Sequence, residues 1–195
     1  VLHISAFADP AGYRFGTFNL GQPPERLLRR MDAAFQLAQH YNVVPMPCWY
    51  DTNGGAAIGD RELELQAGFA RRYGERYRDL SGMLYDVSNE VTVDYADVPD
   101  LQRDFRAFLT KRYGTDAALQ AAWDDPAASL AGAMYAKPDG PWHSRKGRDT
   151  EVFRLYVMDR WLAPSIDAVR ETGDTHPVTT ENYVYKLPGG DPFES

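Results

Sequence analysis

The pair Asn89-Glu90 is where residue type and context in this chain could together do chemistry. It closes the stretch 82–90, Gly-Met-Leu-Tyr-Asp-Val-Ser-Asn-Glu. After the Ser81-Gly82 turn, Met83, Leu84, Tyr85 and Val87 form a short apolar run broken by Asp86. Such a run between a helical pattern and a polar loop reads as a buried strand. In a parallel α/β fold a strand of this kind delivers its last side chains to the mouth of a cleft. A carboxylate held there by an amide neighbour is placed for general acid–base work, where geometry comes before pKa. Taken alone, the dipeptide is equally met by a capping or salt-bridged Glu after a strand.

Two further strand ends carry polar and aromatic residues. Residues 43–48 read as a second apolar strand, although Pro45 and Pro47 are awkward in a central one, and it delivers Trp49, Tyr50 and Asp51. Residues 176–180 read as a last strand, ending in Glu181-Asn182-Tyr183. The first residues, 1–7, alternate loosely and read as another strand, followed by a polar loop with Asp9.

The segments between these strands must position their ends. Pro23-Pro24 opens a helix with Leu27, Leu28, Met31, Phe35 and Ala38 on one face, since Pro suits a first helical turn. Leu65, Phe69, Tyr73, Tyr77 and Leu80 line a second helix, and Leu101, Phe105, Phe108, Leu109 and Tyr113 a third. Gly114 is expected as a left-handed cap, and Thr115 as the N-cap of a short successor with Leu119 and Trp123. Residues 124–149, rich in Pro, Gly and Ala, read as an excursion loop. A long helix is expected over about 150–172, kinked or broken at Pro164.

Strands alternating with helices imply a parallel sheet with crossover helices. An open doubly wound sheet and part of a (β/α)8 barrel both fit. No Gly-rich phosphate loop follows a strand, which lowers the nucleotide-binding option. The clustering of polar residues after each strand is the barrel pattern, with chemistry at the C-terminal face. A full barrel takes about 250 residues, so four strands in 195 residues read as part of one. The expected fold class is therefore α/β, a partial TIM barrel over 1–195 as a single domain. The chain starts with Val1 rather than Met, which reads as a cut or processed end.

Composition narrows the partners. Hydrophobic residues at 44% and charged residues at 25% are ordinary for a soluble globular protein. A net charge of -7 argues against nucleic acid or an anionic membrane as partner, and no run reaches membrane-span length. The single cysteine, Cys48, excludes an internal disulfide. No His, Cys, Asp and Glu cluster has metal-ligand spacing, and no cofactor is called for. His40 reads as structural, His176 lies at the wrong end of its strand for chemistry, and Trp142 and His143 read as surface residues of the excursion loop.

The Asn89-Glu90 strand end resembles that of clan A glycoside hydrolases, whose fourth strand ends in Asn-Glu. Phe105-Arg106-Ala107-Phe108-Leu109-Thr110-Lys111-Arg112-Tyr113-Gly114-Thr115, with Leu119 and Trp123, is similar to the segment after that strand in family 42 β-galactosidases. Residues 177–183, Pro-Val-Thr-Thr-Glu-Asn-Tyr, resemble their fifth strand, and the first fifty residues resemble mannanase-like members of family 5. The chain would then hold about strands two to five of the barrel. The resemblance implies retaining hydrolysis of β-linked sugars, with two carboxylates about 5 to 5.5 Å apart. Glu90 would be the acid/base and Asn89 would hold the sugar 2-hydroxyl. The nucleophile, a Glu ending the seventh strand, is expected beyond these four strands, with Glu181 as its rival.

Trp49 and Tyr50 could stack a sugar ring or pack the barrel rim. Asp51, Glu181 and Asn182 are candidate substrate contacts. The expected partner is a carbohydrate, with association through open sheet edges also possible. A non-catalytic carbohydrate-binding barrel remnant and an unrelated α/β enzyme are the alternatives.

Overall fold

Leu28, Met31, Phe35 and Ala38 recur at helical spacing and are buried together, and they build α1 (Glu25–His40). The computed structural model describes residues 1–5, 25–50, 59–88, 98–137 and 143–180, with residues 2–5 described by backbone alone. The polar loop with Asp9 expected after the first strand lies outside the described residues. The chain divides into two compact units, residues 1–92 with 160–183, and residues 93–159 with 184–195.

The first unit carries the sheet. Its strands β1 (Leu2–Ser5), β2 (Pro45–Cys48), β3 (Tyr85–Asp86) and β4 (Val178–Thr179) pair in parallel in the order β1-β2-β3-β4. Leu2 pairs with Pro45, Cys48 with Asp86 and Tyr85 with Val178. Strands added one after another in parallel require crossovers, and α1 and α2 (Asp60–Tyr77) supply the first two. The two prolines do not exclude β2 from the centre of the sheet. The Pro45 carbonyl still accepts from the Leu84 N–H at 3.3 Å, while Pro47 has no N–H to offer.

In α2 the buried stripe is Leu63, Phe69, Tyr73 and Tyr77, so Leu63 takes the place expected of Leu65. Tyr73 stacks on Phe69 at 5.1 Å, and Tyr77 meets Phe35 of α1 edge-on at 4.8 Å. Beside them Arg76 forks onto Asp32 of α1, Nε to Oδ1 at 2.9 Å and the terminal nitrogen to Oδ2 at 2.5 Å. That hydrogen bond, foremost, holds the Asp32 carboxyl below its ordinary value against its burial. Gly74 lets α2 approach Thr172, whose Oγ1 would stand 2.6 Å from a Cβ at that position. At the start of β4 the buried Asp174 accepts from the Tyr85 hydroxyl at 2.7 Å and from the His176 N–H at 2.8 Å. The His176 Nε2 meets the Leu80 carbonyl.

The second unit contains α3 (Pro99–Tyr113), α4 (Asp116–Trp123) and the first part of α5 (Arg145–Arg170). Gly114 closes α3 with its N–H on the Thr110 carbonyl and has the positive φ that suits glycine, 73°, although its ψ of -34° is not that of the left-handed helical cap expected. The Thr115 hydroxyl accepts from the Ala118 N–H at 3.2 Å, capping α4. Two expectations need correction. α5 starts at Arg145 rather than near residue 150, because the Ser144 hydroxyl accepts from the Gly147 N–H at 3.0 Å and caps it. It also runs through Pro164 as one helix. The segment expected as an excursion loop is tied down. Tyr135 is buried, and the Gln102 side chain both donates to its carbonyl, at 3.0 Å, and accepts from its N–H, at 2.8 Å.

Candidate active site

The carboxyl ends of β2, β3 and β4 are laced side by side. The Trp49 N–H donates to the Asp86 carbonyl at 2.9 Å, and the Tyr50 N–H to the Val87 carbonyl at 3.0 Å. The Val87 N–H donates to the Thr179 carbonyl at 2.8 Å. The Ser88 hydroxyl, fully buried, donates to the Tyr50 carbonyl at 2.5 Å. Ser88 therefore fixes the end of β3 against the end of β2, one residue before Asn89. Sequence reasoning missed this role. The signal available was a small hydroxyl-bearing residue directly ahead of the Asn-Glu pair.

Trp49 and Tyr50 are both fully buried, so neither ring offers a face to solvent. The Tyr50 ring packs on Phe69 of α2 and Trp161 of α5 at 6.0 and 5.9 Å. Its hydroxyl donates to the Gln66 carbonyl at 2.6 Å and lies 3.0 Å from the Ser165 hydroxyl. Trp49 lies on Tyr85, 4.9 Å between ring centroids. In the described structure both rings have packing roles. Burial, the largest cause, pushes the Tyr50, Tyr73 and Tyr85 phenols well above their ordinary value, so they stay neutral near pH 7.

Asp51 directly follows Tyr50, Asn89 and Glu90 follow Ser88, and Glu181 and Asn182 follow Thr180. All five lie outside the described residues. Among the described residues no His, Cys, Asp or Glu group could hold a metal ion, and no helix is long and apolar enough to cross a membrane. His143 is exposed.

No family model matches the sequence, and no curated protein matches it. Solved structures do match. The β-galactosidase from Rahnella sp. R3 superposes with a TM-score of 0.67 at 15% identity, over 91% of this chain and 30% of that one. The chain has the fold of part of this enzyme. A catalytic mutant of a GH42 β-galactosidase from G. stearothermophilus gives a TM-score of 0.60 at 17% identity, over 92% of this chain and 30% of that one. An exo-β-agarase gives 0.56 at 14% identity, over 76% and 25%. The family 42 resemblance read from Asn89-Glu90 and the Tyr113-Gly114-Thr115 segment is thus met at the level of the fold. That fold is the parallel α/β build of TIM-barrel glycosidases. The chain spans about 30% of the length of the β-galactosidases it resembles.

Proposed function

We propose that this chain is the acid/base-bearing part of a retaining glycoside hydrolase acting on β-linked sugars, β-galactosides first among them. The observation that supports the reading most is the lacing of β3 to β2 by Ser88, immediately before Asn89-Glu90, in a fold similar to that of β-galactosidases. In this reading the four strands are the second to fifth of a barrel. The family 5 likeness of the first fifty residues belongs to the same proposal, as does a single catalytic domain.

Glu90 protonates the glycosidic oxygen as the bond breaks, then takes a proton from the water that attacks the glycosyl-enzyme. Asn89 donates to the sugar 2-hydroxyl, an interaction that strengthens in the transition state. Asp51, Glu181 and Asn182 contact the substrate from the neighbouring strand ends, and the buried Trp49 and Tyr50 support those ends. The nucleophile is a carboxylate outside this segment. No cofactor takes part.

The test is Glu90→Gln in the whole protein. Turnover of unactivated β-galactosides should fall by about 10²- to 10⁴-fold, the usual worth of a positioned acid/base. Aryl β-galactosides with good leaving groups should lose less in the first step, because they need no proton to depart. Equal, small losses on both substrates would remove Glu90 from the role. Abolition of turnover by Glu181→Ala, together with recovery of a covalent glycosyl group on Glu181 of the unsubstituted protein, would make Glu181 the nucleophile and change the strand count.

A further inference from the structure

Away from the strand ends, the helical unit holds a cleft of about 380 Å³ between the end of α4 and the start of α5. That volume is in the range of small-molecule sites, roughly 300–1,000 Å³. Small side chains leave the space: Ala128 and Ala133 line it and are buried. Trp123 and Met134 form its apolar wall. The Trp123 ring is fixed from behind, because its indole N–H donates to the buried Asp149 at 2.9 Å.

Charge in this cleft runs against that of the chain. Lys137 and Lys146 both line it, whereas the chain as a whole carries a net charge of -7. The Lys146 ammonium stands 5.6 Å from the centre of the Trp123 ring, within cation–π reach. Among the described residues neither lysine is paired with a carboxylate. The carboxylate that lines the cleft, Asp125, accepts from the Ala127 N–H at 2.9 Å and so serves the local turn. Two lysines against the one carboxylate of Asp125 leave the lining with a net positive charge beside a fixed aromatic wall and an apolar surface.

We propose that this cleft is a second carbohydrate site that takes an anionic sugar, a pyranose bearing a carboxylate or a sulfate. The sugar's C–H face lies against Trp123, and its charge sits between Lys137 and Lys146. The choice of a sugar rests on the glycosidase reading above, while the choice of an anion rests on the two lysines.

The experiment is titration calorimetry on the whole protein with three probes: oligogalacturonate, a sulfated galactan oligosaccharide and inorganic sulfate. Saturable binding of either acidic oligosaccharide is expected. It should weaken by about tenfold or more in the Lys137→Gln/Lys146→Gln variant, from the loss of two charge contacts, and also with added salt. Both lysines are at least partly exposed, so the variant is expected to unfold at the wild-type urea concentration. Glu90→Gln should leave this binding unchanged. No binding of either acidic oligosaccharide, or equal binding by the double-lysine variant, would overturn the proposal. Inorganic sulfate binding as tightly as the oligosaccharides would overturn the sugar assignment. If Glu90→Gln abolishes hydrolysis while acidic binding is absent, the cleft proposal fails and the glycosidase reading stands.

Discussion

The centre of the sheet-bearing unit is a series of rings. Trp49 lies on Tyr85, Tyr50 on Trp161 and Phe69, and Phe69 on Tyr73. The helical unit has rings too, Phe105 and Tyr135 around Phe153, but its helices converge on one buried carboxylate. Asp149 accepts from the Tyr113 hydroxyl at 2.5 Å and the Trp123 indole at 2.9 Å. Arg112 stands at 3.2 Å and Arg145 at 3.7 Å. Its side chain is 1% exposed, while those arginines are 34% and 43% exposed. Packing spreads its contribution over many contacts in proportion to area. A buried charge concentrates it in one group that must stay satisfied. The first arrangement should respond to lost volume, the second to lost charge.

That contrast can be broken by substitution. Trp49→Ala removes a fully buried indole, and we expect the largest loss, about 3–5 kcal/mol by urea denaturation. A loss below about 1 kcal/mol would mean that the ring series is not what holds the sheet. Asp149→Asn keeps the volume and removes the charge. The arginines it would leave behind are partly solvated, so we expect about 2 kcal/mol rather than the full cost of orphaning a buried ion. A neutral result there would erase the distinction between the two centres.

Two smaller effects sharpen the comparison. Tyr85→Phe keeps the ring and removes the donor to the buried Asp174, at an expected cost of about 1–2 kcal/mol, which tests whether the ring series also depends on its polar ends. The Asp32–Arg76 fork is partly exposed and should contribute under about 1 kcal/mol. The folded carboxyl has the lower pKa, so this contribution is present above the unfolded value near 3.8 and is lost as pH falls through the folded one. Arg76→Met should flatten that acid limb of a plot of urea midpoint against pH. An unchanged limb would assign the loss to other carboxylates.

Much of the frame was legible because periodicity is a long signal. The faces of α1 and α3, the Gly114 cap and the parallel order follow from spacing and turn chemistry over many residues. The α5 start was not legible, because Ser144 caps it from within a Gly- and Pro-rich stretch that reads as loop. Pro164 misled because tertiary packing can hold a helix across one missing N–H. At the strand ends, chain order placed Trp49 and Tyr50 next to Asp51. It could not say that Tyr50 turns to α2 and α5, where Gln66 and Ser165 take its hydroxyl. The reach of Asp149 to Arg112, Tyr113 and Trp123 leaves no local pattern, because its members come from separate elements, and the Trp123 cleft lies in the stretch 123–137, which reads as loop from residue 124, closed by Lys146 from α5.

Cys48, the chain's one thiol, ends β2 with no exposed surface and pairs with Asp86 across the sheet. A reagent that modifies thiols can reach it only when the strand opens. Its labelling rate in native buffer therefore reports how often the sheet parts, and the dependence of that rate on dilute urea separates a local breath from global unfolding. The sequence thus carries a clock for the strand whose next residues lead to Asp51, readable without adding any probe to the protein.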